Sequence, residues 1–447
     1  MLLTERDTRT LTAKILSMVK ADDATASVGS NRRSHLRFAR NDVLTSGTNE
    51  GRSASVTVWI GGRRGSASTN DLDYASLKRM VDQAESIAKT APVDREYVPT
   101  FGKQTYRPSN RFFRSTSQLS LTARARQIGE ILRMFEKNDV IGAGFHQANA
   151  QAGGSATKNG NFEFEDSTTV SLSVTARTPD GTSSGYFMRG HNDIAKLDTA
   201  RIAQEAIRKA VEGRNARMIE PGAYTVILEP QAVADLLGNM SNTFNARNAE
   251  EGRSVYSAPG GKTRVGQLVF DRNINIYSDP WHPELPGSPS AQGGLPAEKI
   301  YLVKNGILEN LVYNRSWAKQ KDKQPTPGPV NTIIESSGPP ASIDEMIRST
   351  KRGILVGRFW YIRATDARTA SSTGLTRDGV WMIEDGKIAY PVKNLRFNQS
   401  MTQMLAPGNV EMIGKPERVG SSEGGGGSLL PALKIKSFNF TSQSEAV

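Results

Sequence analysis

Four histidines are the side chains of this sequence best suited to hold a metal ion. They are His35, His146, His191 and His282. A zinc site on a helix needs two ligands one turn apart so that both face the same ion, and no two of these histidines are close enough in sequence. The one compact group of possible ligands is Asp279, His282 and Glu284, in the segment DPWHPE. Proline at two of the intervening positions favours a rigid turn, and metal binding by these three residues stays open.

One segment matches a motif of serine hydrolases. Residues 181–185 read GTSSG, which fits G-x-S-x-G with Ser183 as the nucleophile, and His191 and Asp193 follow nearby. A nucleophile elbow needs a strand before the serine and a helix after it. Here the segment PDG marks a turn before the serine, and the segment YFM after it is typical of a returning strand. A hairpin loop is therefore favoured, and a hydrolase that uses Ser183 is kept as an alternative.

The first half of the chain mixes helical and strand patterns. Apolar residues recur at helical spacing, with charges on the opposite face, at 11–19, 77–88, 121–135 and 202–210. Alternating residues predict half-buried strands at 55–60 and 168–176. We therefore expect residues 1–219 to form an N-terminal mixed α/β domain.

The second half is predicted to be mainly β. A strand at 224–229 is followed by a helix over 230–243, and long loops rich in Pro and Gly follow at 279–296 and 324–340. Two hairpins are predicted, because the Asn-Gly pair at 305–306 and the Asp-Gly pair at 385–386 tolerate positive φ. Residues 220–447 are thus expected to form a mainly β C-terminal domain with one helix, and the whole chain an α+β fold.

The composition excludes several classes of protein. With 447 residues, 37% of them hydrophobic, the chain is expected to be globular rather than collagen-like or disordered. It has no cysteine, which excludes disulfides, thiolate metal sites and cysteine nucleophiles. Its net charge of +12 comes from scattered pairs such as Arg32-Arg33, so nucleic acid is not an expected partner. The first ten residues lack the apolar core of a signal peptide, and no apolar run approaches a membrane span, so we expect a cytoplasmic protein without membrane association.

The second half of the chain, and more loosely the first, resembles the TldD/PmbA family, also called the modulator of DNA gyrase family. The resemblance rests on the helix at 230–243 and on the order and spacing of short segments after it. These are GRS at 252–254, KTRVG at 262–266, SDP at 278–280, SP at 288–289, GLP at 294–296, YNRSWA at 313–318, GILV at 353–356, TGLTRDG at 373–379 and VKNLRFN at 392–398.

The chain departs from the family pattern at the metal site. In TldD-type subunits this helix carries an HExxxH zinc motif, and a distant cysteine completes the site. The equivalent stretch here reads GNMSNT at 238–243, so Gly238, Asn239 and Thr243 stand at degenerate motif positions. Neutral side chains of these types cannot hold a divalent ion or act as a general base. The resemblance therefore implies a TldE-like subunit with no metal and no catalytic residue of its own.

The resemblance also implies a partner that supplies the reaction centre. We expect a TldD-type metalloprotease subunit to contribute zinc to a heterodimer in which this chain completes a closed chamber. The implied substrates are the leader segments of modified precursor peptides, or small unfolded polypeptides. The alternative from another class is a homodimeric peptide-binding or regulatory protein without a protease partner.

Five residues are candidates for peptide binding or for the dimer interface. They are Arg253, Asn314, Arg315, Arg377 and Asp378. Each belongs to a segment that carries the resemblance, and polar loop residues are enriched in binding sites. The simpler interpretation is that residues 377–379 form a turn and that 314–315 end a strand.

Overall fold

A computed structural model of the chain describes residues 1–237, 241–420 and 427–444. Its α-helices are α1 (Glu5–Met18), α2 (Tyr74–Thr90), α3 (Arg114–Ser117), α4 (Leu121–Lys137), α5 (Thr199–Glu212), α6 (Pro230–Leu237), α7 (Ala246–Glu250), α8 (Arg315–Gln320), α9 (Ile343–Arg348) and α10 (Met401–Met404). Short 3₁₀ turns lie at Ile194–Lys196, Ser241–Phe244, Pro259–Gly261 and Gln292–Gly294.

The strands of the first half are β1 (Asp23–Ala39), β2 (Asp42–Ile60), β3 (Arg63–Thr69), β4 (Ile141–Thr157), β5 (Phe162–Arg177) and β6 (Ser184–His191). Those of the second half are β7 (Gly222–Leu228), β8 (Ser257–Ala258), β9 (Lys262–Thr263), β10 (Ile274–Ser278), β11 (Ser290–Ala291), β12 (Leu295–Pro296), β13 (Ile300–Lys304), β14 (Ile307–Leu308), β15 (Ile333–Ser336), β16 (Arg352–Asp366), β17 (Ser371–Glu384), β18 (Lys387–Pro391), β19 (Leu395–Ser400), β20 (Val410–Ile413), β21 (Glu417–Val419), β22 (Ser428–Leu430) and β23 (Leu433–Gln443).

The long helices begin at side chains that cap their first amides. Thr4 and Asp7 form a capping box at the start of α1. Asp73, Ser120 and Asp198 each accept a hydrogen bond from the amide three residues later, at α2, α4 and α5. These four helices lie where the apolar spacing predicts them, so the helices expected in the first half are confirmed.

A six-stranded antiparallel sheet organises the first half of the chain. Its order is β3-β2-β1-β4-β5-β6. Helices α1 and α2 pack on one half of its inner face around Ile15 and Val81, while α4 and α5 pack on the other half around Phe135 and Ile202. Both cores lie on the same side of the sheet, because β1 presents Val28 to one and Leu36 to the other, eight residues apart. The opposite face of the sheet carries mainly polar residues.

A small closed barrel forms the centre of the second half. Strand β7 pairs in parallel with β16, and antiparallel pairs join β16 to β17, β17 to β19, β19 to β23 and β23 back to β7. The rings of Phe359, Phe397, Phe438 and Phe440 pack inside it, with centroids of contacting rings 4.8 to 5.6 Å apart. Gly374 makes room for them, because a Cβ at that position would lie 2.7 Å from the ring of Phe397.

A second sheet, of order β14-β13-β10-β15-β22-β21, completes the second half. Both predicted hairpin turns are present and left-handed. Asn305 and Gly306 have φ of 49° and 74°, and Asp385 and Gly386 have φ of 47° and 77°. The α+β fold with a mainly β second half is therefore confirmed. The division of the chain at residues 219 and 220 stays a prediction.

Three features differ from the expectation. The second half contains the short helices α7 to α10 in addition to the one helix expected there, because helices of four to six residues are too short to show a helical period. The predicted helix over 230–243 does not continue to its end, since residues 241–244 form a 3₁₀ turn. The predicted loop at 324–340 contains β15, whose Ile333 and Ile334 pair with β10 and are buried. A four-residue strand carries too short a pattern to be recognised inside a segment rich in Pro and Gly.

A fully buried histidine lies under the inner face of the first sheet. His146 on β4 is in register with Leu36 on β1 and Leu172 on β5. Within the described part of the chain, neither of its ring nitrogens has a hydrogen-bond partner. Burial and, secondarily, the charge of Arg124 lower the pKa of His146 to about 4.

We predict that His146 lowers the stability of the protein in acid. The folded state keeps the ring neutral down to a pH of about 4, whereas the unfolded chain takes up a proton below the ordinary value of 6.5. The free energy of unfolding therefore falls as the pH falls between these values, by about 3 kcal/mol at most. Urea unfolding at a pH of about 4 and at pH 6.5 should show that His146→Leu removes this part of the pH dependence of stability.

The matched control is Leu36→Met, which changes the same core without removing a titratable group. It should lower stability equally at both pH values. The pKa of His191 is also lowered to about 4, chiefly by burial. The His146→Leu variant should therefore retain the part of the pH dependence of stability that comes from His191. An unchanged pH dependence in His146→Leu would contradict the assignment.

Candidate interdomain site

Helix α6 follows β7 directly and lies between β16 of the barrel and strands β21 and β22 of the second sheet. Each of its eight residues is buried, and its two polar side chains are Gln231 and Asp235. The carboxylate of Asp235 accepts from the amide of Phe359 at 3.0 Å and from the amide side chain of Gln231 at 3.1 Å. Gln231 also donates to the carbonyl of Gly420 at 2.7 Å. The polar groups of α6 thus anchor it to its surroundings.

The side chains of this helix do not fit a zinc ion. The helix offers one carboxylate, already bonded to a backbone amide, and no imidazole. Of the degenerate motif positions, Gly238 and Asn239 lie outside the described residues. Thr243 is described, and its carbonyl accepts from the hydroxyl of Ser254 at 3.0 Å. Over residues 1–237, 241–420 and 427–444, no three His, Asp or Glu side chains form a group that could hold a metal ion.

The DPWHPE segment forms a turn. Asp279 accepts from the amide of Trp281 at 3.0 Å, and the Nδ1 atom of His282 accepts from the amide of Glu284 at 3.2 Å. The carboxylate of Glu284 lies instead against the first half of the chain, 2.8 Å from the ammonium of Lys196. That hydrogen bond lowers the pKa of Glu284 below its usual range. The three possible ligands therefore do not converge.

Ser183 lies in a hairpin and not in a nucleophile elbow. It precedes β6, so a strand follows it where the elbow requires a helix. Its hydroxyl is buried and donates to the carbonyl of Ala210 on α5 at 2.7 Å. The predicted hairpin is confirmed, and the role of nucleophile is wrong for this geometry, because the hydroxyl holds α5 against the turn.

A buried cluster of charged and polar side chains joins the two halves of the chain. We call Ser184, Tyr186, Asp235, Arg358 and Asp378 the seam cluster. Arg358 on β16 pairs with Asp378 on β17 at 3.0 Å, and these side chains are only 7% and 4% exposed. From the first half, Ser184 donates to Asp378, and the ring of Tyr186 lies under the guanidinium of Arg358 at 4.0 Å.

The electrostatics of the seam cluster show that its members act on each other. The pKa of Tyr186 is raised to about 12, mainly by burial, and the charge of Arg358 opposes the shift while Asp235 and Asp378 add to it. The buried phenol of Tyr186 therefore lies within reach of one cation and two carboxylates. Such a group stabilises a structure only when its geometry is complete, since each charge has lost its hydration.

Two of the predicted residues lie at the seam cluster: Asp378 is a member of it, and Arg377 is its neighbour. The Nε atom of Arg377 is 3.7 Å from the carboxylate of Asp378, and its guanidinium lies 5.6 Å from the ring of Trp360. Asp378 and Gly379 have φ of 53° and 129°, so the backbone is irregular within β17. The side chain of Asp378 is buried at the junction and is not a free surface group.

The predicted residues of α8 fasten the second half to the first. Asn314 caps α8 by accepting from the amide of Trp317 at 2.8 Å. Arg315 donates to the carbonyl of Pro99 at 2.5 Å, and its guanidinium lies 3.6 Å from the ring of Phe101. Burial lowers the pKa of Arg315. Helix α8 thus holds the segment around Pro99 and Phe101, which belongs to the first half of the chain.

Arg253 lies at the end of a chain of charges that leads to α8. It pairs with Glu251, and Arg247 joins Glu251 at 3.0 Å to Glu96 at 2.6 Å. Glu96 in turn accepts from the hydroxyl of Ser316 at 3.4 Å. The five predicted residues therefore form two groups: Arg377 and Asp378 at the seam cluster, and Arg253, Asn314 and Arg315 around α8.

Sequence reasoning missed Ser184, Tyr186, Asp235 and Arg358. A signal for Arg358 exists, because it interrupts the apolar run ILVGRFWYI, and a charge in a buried strand requires a partner. Asp235 similarly interrupts an apolar helix. The partners could not be identified from the sequence, because Ser184 and Tyr186 are more than 170 residues away from Arg358 along the chain.

Comparison with family models decides the family. Residues 221–442 match the model described as the PmbA/TldA metallopeptidase C-terminal domain, and residues 24–88 match PmbA/TldA metallopeptidase domain 1. The chain belongs to the PmbA/TldD family. The resemblance seen in the sequence is confirmed.

Similar proteins include metalloproteases and solved structures of this family. The chain is 21% identical over 52% of its length to a metalloprotease of Methanothermobacter thermautotrophicus and 23% identical over 56% of its length to a metalloprotease of Synechocystis sp.. It spans about half the length of these curated relatives, 51% and 56%.

Two solved structures have the same fold as this PmbA/TldD chain. TldE from Thermococcus kodakarensis has a TM-score of 0.85 at 18% identity, over 97% of this chain and 99% of that one. A candidate modulator of a DNA gyrase from Thermotoga maritima has a TM-score of 0.84 at 16% identity, over 97% and 100%. In the described part of the chain, no helix is both long and apolar enough to cross a membrane.

We predict that Arg358 and Asp378 are energetically coupled. Arg358→Met and Asp378→Asn should each lower the free energy of unfolding by about 3–5 kcal/mol, because each leaves the other group buried without its partner. The double variant should lose much less than the sum of the two. Urea unfolding of the four proteins in a double-mutant cycle measures the coupling.

The matched control is the exposed pair of Glu5 and Arg9 on α1, whose side chains are 57% and 60% exposed at 2.9 Å. Glu5→Gln and Arg9→Met should change stability far less and show little coupling. Equal effects in the two cycles would contradict the role given to the seam cluster.

Proposed function

We propose that this chain is the non-catalytic, TldE-like subunit of a cytoplasmic, heterodimeric zinc metalloprotease. The observation that carries the proposal is the chemistry of α6 and of the residues after it. In a family named for its metallopeptidase domains, the position of the metal motif reads GNMSNT, which contains no usual zinc ligand. The helix itself offers only Asp235, whose carboxylate is already bonded.

The comparisons support the proposal at two levels. Family membership and the relatives named as metalloproteases support a place in proteolysis. The likeness in fold to TldE of Thermococcus kodakarensis, over 97% of this chain, supports a subunit built on the same scaffold. A subunit of this kind contributes shape and binding surface to a shared site.

The partner in this proposal is a TldD-type chain that carries the HExxxH motif and the zinc ion. Zinc there would polarise the scissile carbonyl and activate water. This chain would close the chamber and hold the substrate, an unfolded polypeptide or the leader of a modified precursor peptide. The group around α8, with the side chain of Arg253 59% exposed, offers positive charge for the partner or the peptide.

Zinc content and hydrolysis test the proposal together. We expect the purified full chain to retain no stoichiometric zinc after dialysis and to leave an unfolded polypeptide such as reduced casein uncut. Adding a purified TldD-type chain should give a complex with one zinc ion and chelator-sensitive hydrolysis faster than that of the TldD-type chain alone. The control is the same partner with the Glu of HExxxH changed to Gln, which should assemble but not cleave.

Two results would contradict the proposal. One is zinc-dependent hydrolysis by this chain in the absence of a partner. The other is a TldD-type chain whose activity does not change when this chain is added.

A further inference from the structure

The outer face of the first sheet carries a long polar trough. It consists of two adjoining cavities of about 350 and 280 Å³, and both are lined by Asn31 and Gln151. We define the trough by six side-chain positions that line it: Gly29, Asn31, Arg33, Asn149, Gln151 and Glu163. They lie on the three central strands β1, β4 and β5, opposite the helices.

The register of the sheet places these residues in rows. Asn31 is paired with Gln151, and Arg33 with Asn149, across β1 and β4. Because successive side chains on a strand alternate between faces, these residues point away from the cores while Leu36 and Phe38 point into them. The floor of the trough therefore carries the carboxamides of Asn31, Asn149 and Gln151, with Gly29 beside them and the stacked rings of His35 and Phe145 in the smaller cavity.

The second half of the chain forms one wall of the trough. Pro289 and Ser290, from the segment just before and within β11, line the larger cavity. Ser288 holds this segment in place, because its hydroxyl donates to Glu165 on β5 at 2.6 Å. The trough is thus a groove between the two halves and not a flat sheet surface.

Two positions along the trough carry opposite charge. In the larger cavity, the Oε1 atom of Glu163 accepts from the hydroxyl of Ser155 at 2.8 Å. In the smaller cavity, Arg33 forms no ion pair within the described part of the chain, and His35 and Phe145 line the cavity beyond it. From Ser155, beside Glu163, to Asn149, beside Arg33, is six residues of β4, or about 20 Å.

These features match one kind of ligand, an extended polypeptide. A carboxamide both donates and accepts hydrogen bonds, as a peptide group does, so a carboxamide floor can bind a backbone whatever its side chains. Glu163 lines the larger cavity, and an ammonium group is the strongest partner that a ligand can offer to its carboxylate. The spacing of about 20 Å between Glu163 and Arg33 corresponds to about six extended residues.

We propose that the trough binds an extended polypeptide segment of about six residues, with a cationic group at Glu163 and an anionic group at Arg33. The proposal rests on the proposed function for the choice of a peptide as the ligand. It adds the surface of this subunit that holds the substrate and the charge pattern that this surface prefers.

Isothermal titration of the full chain with two synthetic hexapeptides tests the proposal. Both peptides are blocked at their termini. One reads Lys-Ser-Val-Thr-Val-Glu, and the other replaces both charged residues with Gln. We expect the charged peptide to bind more tightly, by about tenfold, because both ends find an opposite charge.

Variants then locate the binding. A Cβ at Gly29 would meet only the hydroxyl of Ser53, at 3.9 Å, so Gly29→Phe fills the trough without disturbing the sheet. It should weaken both peptides by at least about tenfold, whereas the matched control Gly29→Ala should bind as the wild type does. Glu163→Gln should weaken the charged peptide by about threefold, since the pairing at Arg33 remains, and leave the neutral one unchanged.

The proposal is overturned if the wild-type chain binds neither peptide, or if Gly29→Phe binds both as well as Gly29→Ala. Its failure differs from that of the proposed function. Peptide binding without activation of any TldD-type chain would leave the trough in place and remove the metalloprotease role. If the chain activates a TldD-type partner but Gly29→Phe leaves peptide binding unchanged, the trough proposal fails and the proposed function stands.

Discussion

The buried guanidinium of Arg358 joins the two halves of the molecule, and the positions of the barrel and of α6 against the first sheet depend on that junction. It pairs with Asp378 within the barrel and stacks on Tyr186 of the first sheet. A cation removed from water must keep all its partners, so the pair fixes how the barrel lies against β6. The residue after it, Phe359, donates its amide to Asp235 and thereby holds α6. This contact therefore links the first sheet, the barrel and α6.

Much of the fold follows from local patterns. Helices α1, α2, α4 and α5 follow from apolar spacing, and the Asn305-Gly306 and Asp385-Gly386 turns follow from the need for positive φ. The closure of the barrel does not, because the parallel pairing of β7 with β16 joins residues more than 120 positions apart. Short strands such as β15 are also invisible to periodicity. Local sequence patterns therefore predict many of the helices and turns, whereas the long-range pairing of strands is seen only in the structure.

The candidate site was predictable only in part, and for a physical reason. Arg377 and Asp378 stood out because they lie in a segment that resembles a family, yet Asp378 is 4% exposed and binds within the chain. Its partners Ser184 and Tyr186 lie on a distant strand and have no unusual local sequence. The carboxamide floor was missed for a similar reason, since Asn31 and Gln151 form a row only after β1 pairs with β4. Side chains from different strands that together form a binding surface can be recognised only when the register of those strands is known.

We propose that this chain works as the metal-free half of a two-chain protease. The most direct test is a tagged pull-down of the protein from its native cells in mild salt, with mass spectrometry to identify and count what is retained. The account predicts a second chain of equal abundance that carries the HExxxH motif. Recovery of this chain alone, as a monomer or paired with itself, would contradict the account and favour a self-sufficient peptide-binding protein.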